Sequence, residues 1–388
     1  MVFPTKKIKV GISLKSINSD SQKIIDTTLS LFKDELKVLN LLDKFQIFLI
    51  GTDVFNTNND VEKYTDKWDA NLVIHGLVFS GKVDSKFVHE IKNPHFTYRI
   101  YNIPQNQIFR DLVNKDVQLM LSHREWIIDE SNDLIDYKKV SQNLVEILLS
   151  ILSISLCRSY NHPDISIQLI KKVIPYLESH IPKDKRNIVI NAKKDKIQIP
   201  LNLLKSGRLR TILSSCYINT SRIFILQKKF DKARKTLLEG LENGSDKYVC
   251  YSSLAYVSYY LDNLEKSEFY NEKMNDIKKN TLLYLVNKAF FSIVHKQYND
   301  AVTFYEMARN KVKSKNKQTA QDVINFLKER HKEQPKELAY RYAIGLLLYN
   351  NFDKRRGKKI LLKFYKKADS RIYLSMIEKI KYILKIRD

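Results

Sequence analysis

FDKARKTLLEG (Phe230–Gly240), LEKSEFYNEKM (Leu264–Met274) and YNDAVTFYEMA (Tyr298–Ala308) are three versions of one pattern, each starting 34 residues after the one before. A bulky residue opens each stretch, and a small one, Ala233, Ser267 or Ala301, follows three places on. The register extends outward: Tyr217, Tyr251 and Leu285 fall on the same step, as do Ser221, Ala255 and Ala289. A repeat of this length with small positions set between large ones predicts antiparallel helix pairs. The small residues let two helices approach closely, while the aromatic ones fill the wedge between one pair and the next. One pair alone cannot bury its apolar face, so the pairs stack.

The pattern resembles the tetratricopeptide-repeat (TPR) family. The first helix of each repeat reads Tyr217, Ser221, Phe224, then Tyr251, Ala255, Ser258, then Leu285, Ala289, Ser292. The family's helix-ending proline is replaced, with Ser245 at the first such position. The resemblance implies a concave groove lined by the first helix of each pair. Carried over by register, its partner-binding candidates are Arg222, Ser252, Tyr256, Tyr259, Tyr260 and Phe290. Such a lining suits an apolar or amphipathic protein segment, because tyrosines offer rigid contact area. It lacks the Lys and Asn pattern that clamps a terminal carboxylate. The alternative, left open by the residues, is a groove filled by this chain's own helices.

A length of 388 residues predicts two or three domains. With 44 % hydrophobic residues and only nine Gly and eight Pro, long helices are favoured over turn-rich β structure. Cys157, Cys216 and Cys250 lie in apolar helical context without a CxxC pair, as reduced core residues do. The opening MVFPTKKIKV has no apolar run followed by small residues, which predicts a cytoplasmic protein without a secretory leader. The most apolar run, Leu144 to Leu156, contains Glu146 and is shorter than the roughly 20 residues a membrane span needs, so a core helix is expected. The formal charge of +24, from 67 basic and 43 acidic residues, favours a polyanionic or acidic partner; the other reading is solvated lysine-rich helix faces.

The amino-terminal part reads as a separate α/β domain over residues 1–103. Ile8, Val10, Ile12 and Leu14 alternate with Lys9, Gly11 and Ser13, as in a strand with one buried face. Ser19 or Asp20 caps a helix from about Ser21 to Leu42, and Phe45 to Ile50 reads as a buried parallel strand. A short helix near Val61 to Asp69, a strand Leu72 to Phe79, and one or two strands over Lys86 to Tyr101 broken at Pro94 complete a β-α-β-α-β-β order. WDANLVIHGLVFSG, Trp68 to Gly81, resembles the amino-terminal domain of TolB, which is fused to repeat arrays in some bacterial proteins. That resemblance implies an assembly or interaction module and carries no active residues.

Residues 104–136 read as a connector and 137–388 as an all-α, TPR-like helical-repeat solenoid. An inserted loop or hairpin is expected near 183–200. His162, Pro163, Ser166 and Ile170 imitate the second helix of a repeat. After the third repeat the period slips, and Ser370 to Asp388 reads as a terminal helix that covers the array.

Little of this chain carries catalytic patterning. Glu90 and Lys92 form an E-x-K on a strand with Asp69 or Asp84 upstream, the arrangement by which a carboxylate pair holds Mg²⁺ while lysine steadies a water. Surface charges on a hairpin explain the same residues. The eight histidines form no HxxxH or HExxH, and there is no GxxxxGK[ST] or GxGxxG loop, so no metal site and no cofactor is expected. For polyanions the candidate surface is Lys354, Arg355, Arg356, Lys358 and Lys359, extended by Lys363, Lys366 and Lys367 and by Lys311, Lys313, Lys315 and Lys317. The resulting expectation is a bacterial regulatory or defence adaptor, non-catalytic, that holds a protein partner in its repeat groove. The alternative is a basic nucleic-acid-binding protein with metal-dependent nuclease action.

Overall fold

The computed structural model describes residues 7–16, 19–50, 72–83, 86–98, 115–116, 119–120, 126–127, 137–158, 162–179, 187–192 and 195–386. It is predominantly helical, with an α/β arrangement at its amino-terminal end. Contacts divide it into two units, Met1–Ile223 with Glu242–Ser245 and Phe224–Leu241 with Asp246–Asp388.

In the first unit the alternation of IKVGISLKS builds strand β1 (Ile8–Ser16), whose Ile8, Val10, Ile12 and Leu14 are all buried. Helix α1 (Ser19–Val38) buries Ile24, Ile25, Phe32 and Leu36. It stops short of Leu42 because Asn40 turns left-handed at φ 54°, letting the Leu41 amide donate to the Leu36 carbonyl at 2.8 Å. This closure satisfies the last carbonyls of the helix and tucks Leu41 into the core. Strand β2 (Phe45–Leu49) runs parallel to β1 on one side, and β3 (Leu72–Val83) parallel on the other. Strand β4 (Lys86–Tyr98) returns antiparallel to β3, and β5 (Trp126–Ile127) ends a five-stranded sheet of order β2-β1-β3-β4-β5.

Pro94 does not break this last hairpin in two. The register steps from His75↔His95 to Leu77↔Lys92, so β4 carries one extra residue there and the proline falls in a bulge. A bulge frees the position of an amide from the ladder, which is where a strand tolerates proline.

Helices α2 (Tyr137–Arg158) and α3 (Pro163–Ser179) form a hairpin, and α2 also packs on α1. The Ile24 carbonyl of α1 accepts from its own Thr28 hydroxyl at 2.6 Å and from Ser141 of α2 at 3.1 Å. Residues 137–223 therefore share their core with the sheet, whereas the sequence grouped them with the helices that follow. Within the α2/α3 pair the Ser166 hydroxyl donates to the Ser153 carbonyl at 2.7 Å. A hairpin of β6 (Asn187–Ala192) and β7 (Asp195–Pro200) stands where the sequence places an insertion, and α4 (Leu201–Leu226) follows. Glu146 on α2 is 3 % exposed, accepts from Gln142 at 3.3 Å, and has a second carboxylate oxygen with no hydrogen-bond partner.

The second unit is a run of helical hairpins. After α5 (Phe230–Glu242) come α6 (Lys247–Tyr260) with α7 (Leu264–Ile277), then α8 (Leu282–Val294) with α9 (Tyr298–Arg309). Helix α10 (Lys317–Glu333) precedes a further hairpin, α11 (Ala339–Asn351) with α12 (Lys354–Tyr365), and α13 (Ser370–Leu384) is terminal. Side-chain caps start α6, α7, α8 and α12: Asp246, Asn263, Thr281 and Asp353 each accept the backbone amide three residues on.

The 34-residue step is visible in the backbone itself. Lys228, Asp262 and Lys296, each 34 residues from the last, have φ of 57°, 54° and 60°. Beside them, the amides of Lys229, Asn263 and Gln297 donate back to the carbonyls of Phe224, Ser258 and Ser292 at 2.8, 2.9 and 2.7 Å. The hairpins then cross at the small positions. Ser267 donates to the Ala255 carbonyl at 2.6 Å, and Ala289 and Ala301 are fully buried. The third pair crosses at Gly345 and Gly357; a Cβ on Gly357 would lie 2.3 Å from the Tyr349 nitrogen. Gly345 follows Ala289 by 56 residues, 22 more than the repeat step, and α10 fills that insertion. That is the physical cause of the slip in the period.

Candidate functional site

Four of the predicted groove residues meet in one aromatic wall. Tyr256, Tyr259 and Tyr260 leave the last turn of α6, and Phe290 comes from the same face of α8. The rings contact in series: Tyr256–Tyr260 at 4.7 Å, Tyr259–Tyr260 at 5.5 Å and Tyr259–Phe290 at 5.1 Å between centroids. Phe230 of α5 extends the row by stacking on Tyr260 at 4.8 Å, and Tyr340 of α11 extends it beyond Phe290 at 6.1 Å. Aromatic pairs at these spacings hold one another rigid.

Helix α10 lies against this wall. Phe326 packs on Phe290 at 5.1 Å and reaches Tyr259 and Tyr256 at 6.1 and 6.3 Å. One turn on, Arg330 is 9 % exposed, with its guanidinium 5.2 Å from the Tyr260 ring centre, 5.7 Å from Tyr259 and 5.4 Å from Phe326. Its Nη2 donates to Glu333 at 2.7 Å and to the Tyr260 hydroxyl at 3.4 Å. Three ring faces and one carboxylate replace the water that this cation gives up. The inner part of the wall is thus occupied by the chain's own helix, and Tyr256 at the rim is 39 % exposed.

The other two groove candidates stand elsewhere. Ser252 turns its hydroxyl onto the Val249 carbonyl of its own helix at 2.9 Å, and Arg222 belongs to the first unit. Reasoning from the sequence missed Phe230, Phe326, Arg330 and Tyr340. The first lies on a second helix of a repeat; two of the others sit on the inserted helix, where the period gives no register. The available signal was the Phe-x-x-x-Arg spacing of Phe326 and Arg330, which puts both on one helix face.

A second cluster is electrostatic. Arg355, Lys358, Lys359, Lys363 and Lys366, with Leu362, line a shallow depression of about 470 Å³ on α12 and the turn after it. Of the predicted polyanion set, Lys354 instead lies over the Tyr349 ring at 5.6 Å, and Arg356 is exposed outside the depression. Lys317 lies over Phe352 at 5.4 Å; Lys311 and Lys313 are exposed and do not line it.

For the nuclease reading, Glu90 and Lys92 lie in β4 in register with Phe79 and Leu77. Asp69 and Asp84 lie outside the described residues. Among the described residues no three His, Cys, Asp or Glu are grouped to hold a metal ion, and no helix is long and apolar enough to cross a membrane. Cys157, Cys216 and Cys250 are buried and unbridged. No known protein family, curated protein or solved structure matches the chain.

Proposed function

We propose that this protein is a non-catalytic adaptor whose carboxy-terminal, TPR-like unit binds a protein partner on its aromatic wall. The observation that carries the reading is the state of that wall: it already grips one amphipathic helix, by Phe326 and Arg330, and leaves Tyr256 exposed at its edge. A surface of locked tyrosines and phenylalanines loses little side-chain freedom when a further segment is added. The seat for that segment is the rim beside α10 rather than an empty groove, and a helix with an apolar residue facing Tyr256 is the occupant its chemistry suits. The repeated hairpins support the reading in a second way, because each helix is held by its neighbours and presents a fixed face.

The test is photo-crosslinking from position 256. Tyr256→p-benzoyl-phenylalanine in the full chain, expressed in its own cell, is expected to trap a discrete protein. The same substitution at Tyr382, 78 % exposed on α13, should not trap it. Equal trapping from both positions, or none from 256, refutes the proposal.

A further inference from the structure

The sequence from Lys354 to Lys367 holds eight Lys or Arg and no Asp or Glu. Packing fixes which way these charges face. Gly357, Leu361 and Phe364 of α12 are buried; Gly357 lets the helix press onto the backbone of Tyr349, and Phe364 meets Tyr342 and Tyr373 at 5.8 and 5.6 Å. With that side sealed, Arg355, Lys358, Lys359, Lys363 and Lys366 are left on the opposite side, all exposed, at successive steps of three, one, four and three. They border the shallow depression as a basic ridge roughly 16 Å long at the α-helical rise. None of the five is ion-paired with a described carboxylate. Elsewhere in the same unit cations are paired, as Lys379 with Glu306 at 2.6 Å and Lys288 with Glu272 at 2.9 Å.

We propose that this ridge on α12 is a binding site for the phosphate backbone of double-helical nucleic acid. A dense row of like charges on one rigid helix face complements the closely spaced phosphates of a rigid polyanion. Four of the five groups are lysines, point charges that neutralise phosphate without reading a base edge. Single strands are disfavoured because they need exposed aromatic faces for stacking, whereas Phe364 is buried and Tyr365 is half-buried against the core. A membrane surface is disfavoured because the large apolar residues of α12 face the core, leaving only half-buried Leu362 among the cations. An acidic polypeptide is the competing polyanion, and polyglutamate stands for it in the test. The site does not depend on the adaptor reading and does not involve Tyr256.

The experiment is fluorescence anisotropy of the full chain with a labelled duplex of mixed sequence, as DNA and as RNA, at several salt concentrations between 50 and 200 mM. Binding is expected to both duplexes within a few-fold, since four of the five groups are point charges that read neither a sugar nor a base. Neutralising Lys358, Lys359 and Lys363 together to Gln should reduce the slope of log affinity against log salt by about 2.7, at about 0.9 for each phosphate no longer neutralised. A control with Lys229, Lys232 and Lys235 changed to Gln removes the same net charge elsewhere and should leave the slope within about 1 of the parent. Circular dichroism checks that both variants are folded. No duplex binding at 50 mM salt, an unchanged slope in the ridge variant, an equal loss in the control, or tighter binding to polyglutamate or to phosphatidylserine vesicles overturns the proposal.

Discussion

Replacing Glu146 by Gln should stabilise the first unit at neutral and alkaline pH and leave it unchanged in acid. Glu146 sits among the buried apolar residues of α2, 3 % exposed, and burial pushes its carboxyl up to about 7 from an ordinary 4.5. Its neighbours divide. The Gln142 amide and Lys172 favour the charged form, while Glu35, which pairs with Lys172 at 3.0 Å, opposes it. Tyr176, pushed up to about 12 chiefly by burial, stays neutral throughout the range. Between pH 4.5 and 7 the folded state holds a proton that the unfolded state has lost, so stability falls as pH rises through that window. Above it the full difference applies, about 3 kcal/mol for a shift of this size. Glutamine keeps the shape and can still accept from Gln142, but it never ionises. In differential scanning calorimetry of parent and Glu146→Gln from pH 4 to 8.5, the variant's transition for this unit is expected about 5–10 °C higher at pH 8 and coincident at pH 4. A constant gap across the range, or none at pH 8, refutes the argument that an isolated charge is being held in the core.

Two further substitutions test the second unit. Gly357→Ala forces a methyl to within 2.3 Å of the Tyr349 nitrogen, backbone that cannot rotate away, and should cost about 3 kcal/mol in a thermal melt of that unit. Arg330→Met keeps the stem but removes the cation held between Tyr259, Tyr260 and Phe326, so chemical denaturation should show a loss of about 1–2 kcal/mol, with the far-ultraviolet spectrum retained.

The strand alternation of Ile8 to Leu14 and the 34-residue step were legible because each follows from a periodicity that packing enforces locally. β1 and the α6/α7 and α8/α9 hairpins accordingly stand where the sequence puts them. The end of α1 was harder. Asn40 takes a left-handed conformation that Asn tolerates without advertising, and Leu39 and Leu41 continue the apolar stripe past it. The grouping of residues 137–223 rests on long-range contacts, such as Ser141 to Ile24, that no local pattern encodes.

The site was half legible for a related reason. Period and resemblance together placed Tyr256, Tyr259, Tyr260 and Phe290 on one face, but a period describes only the residues that repeat. α10 occurs once, in a 22-residue excess between Ala289 and Gly345, and its content decides what the wall meets. Ile324 and Leu327 anchor that helix in the core at 0 % and 1 % exposure, which holds Phe326 and Arg330 against the rings. A helix so anchored is part of the wall rather than a plug that leaves it. A partner must therefore extend the aromatic surface at Tyr256 instead of displacing Arg330, and Arg330→Met, which loosens the packing there, should weaken trapping from position 256 rather than strengthen it.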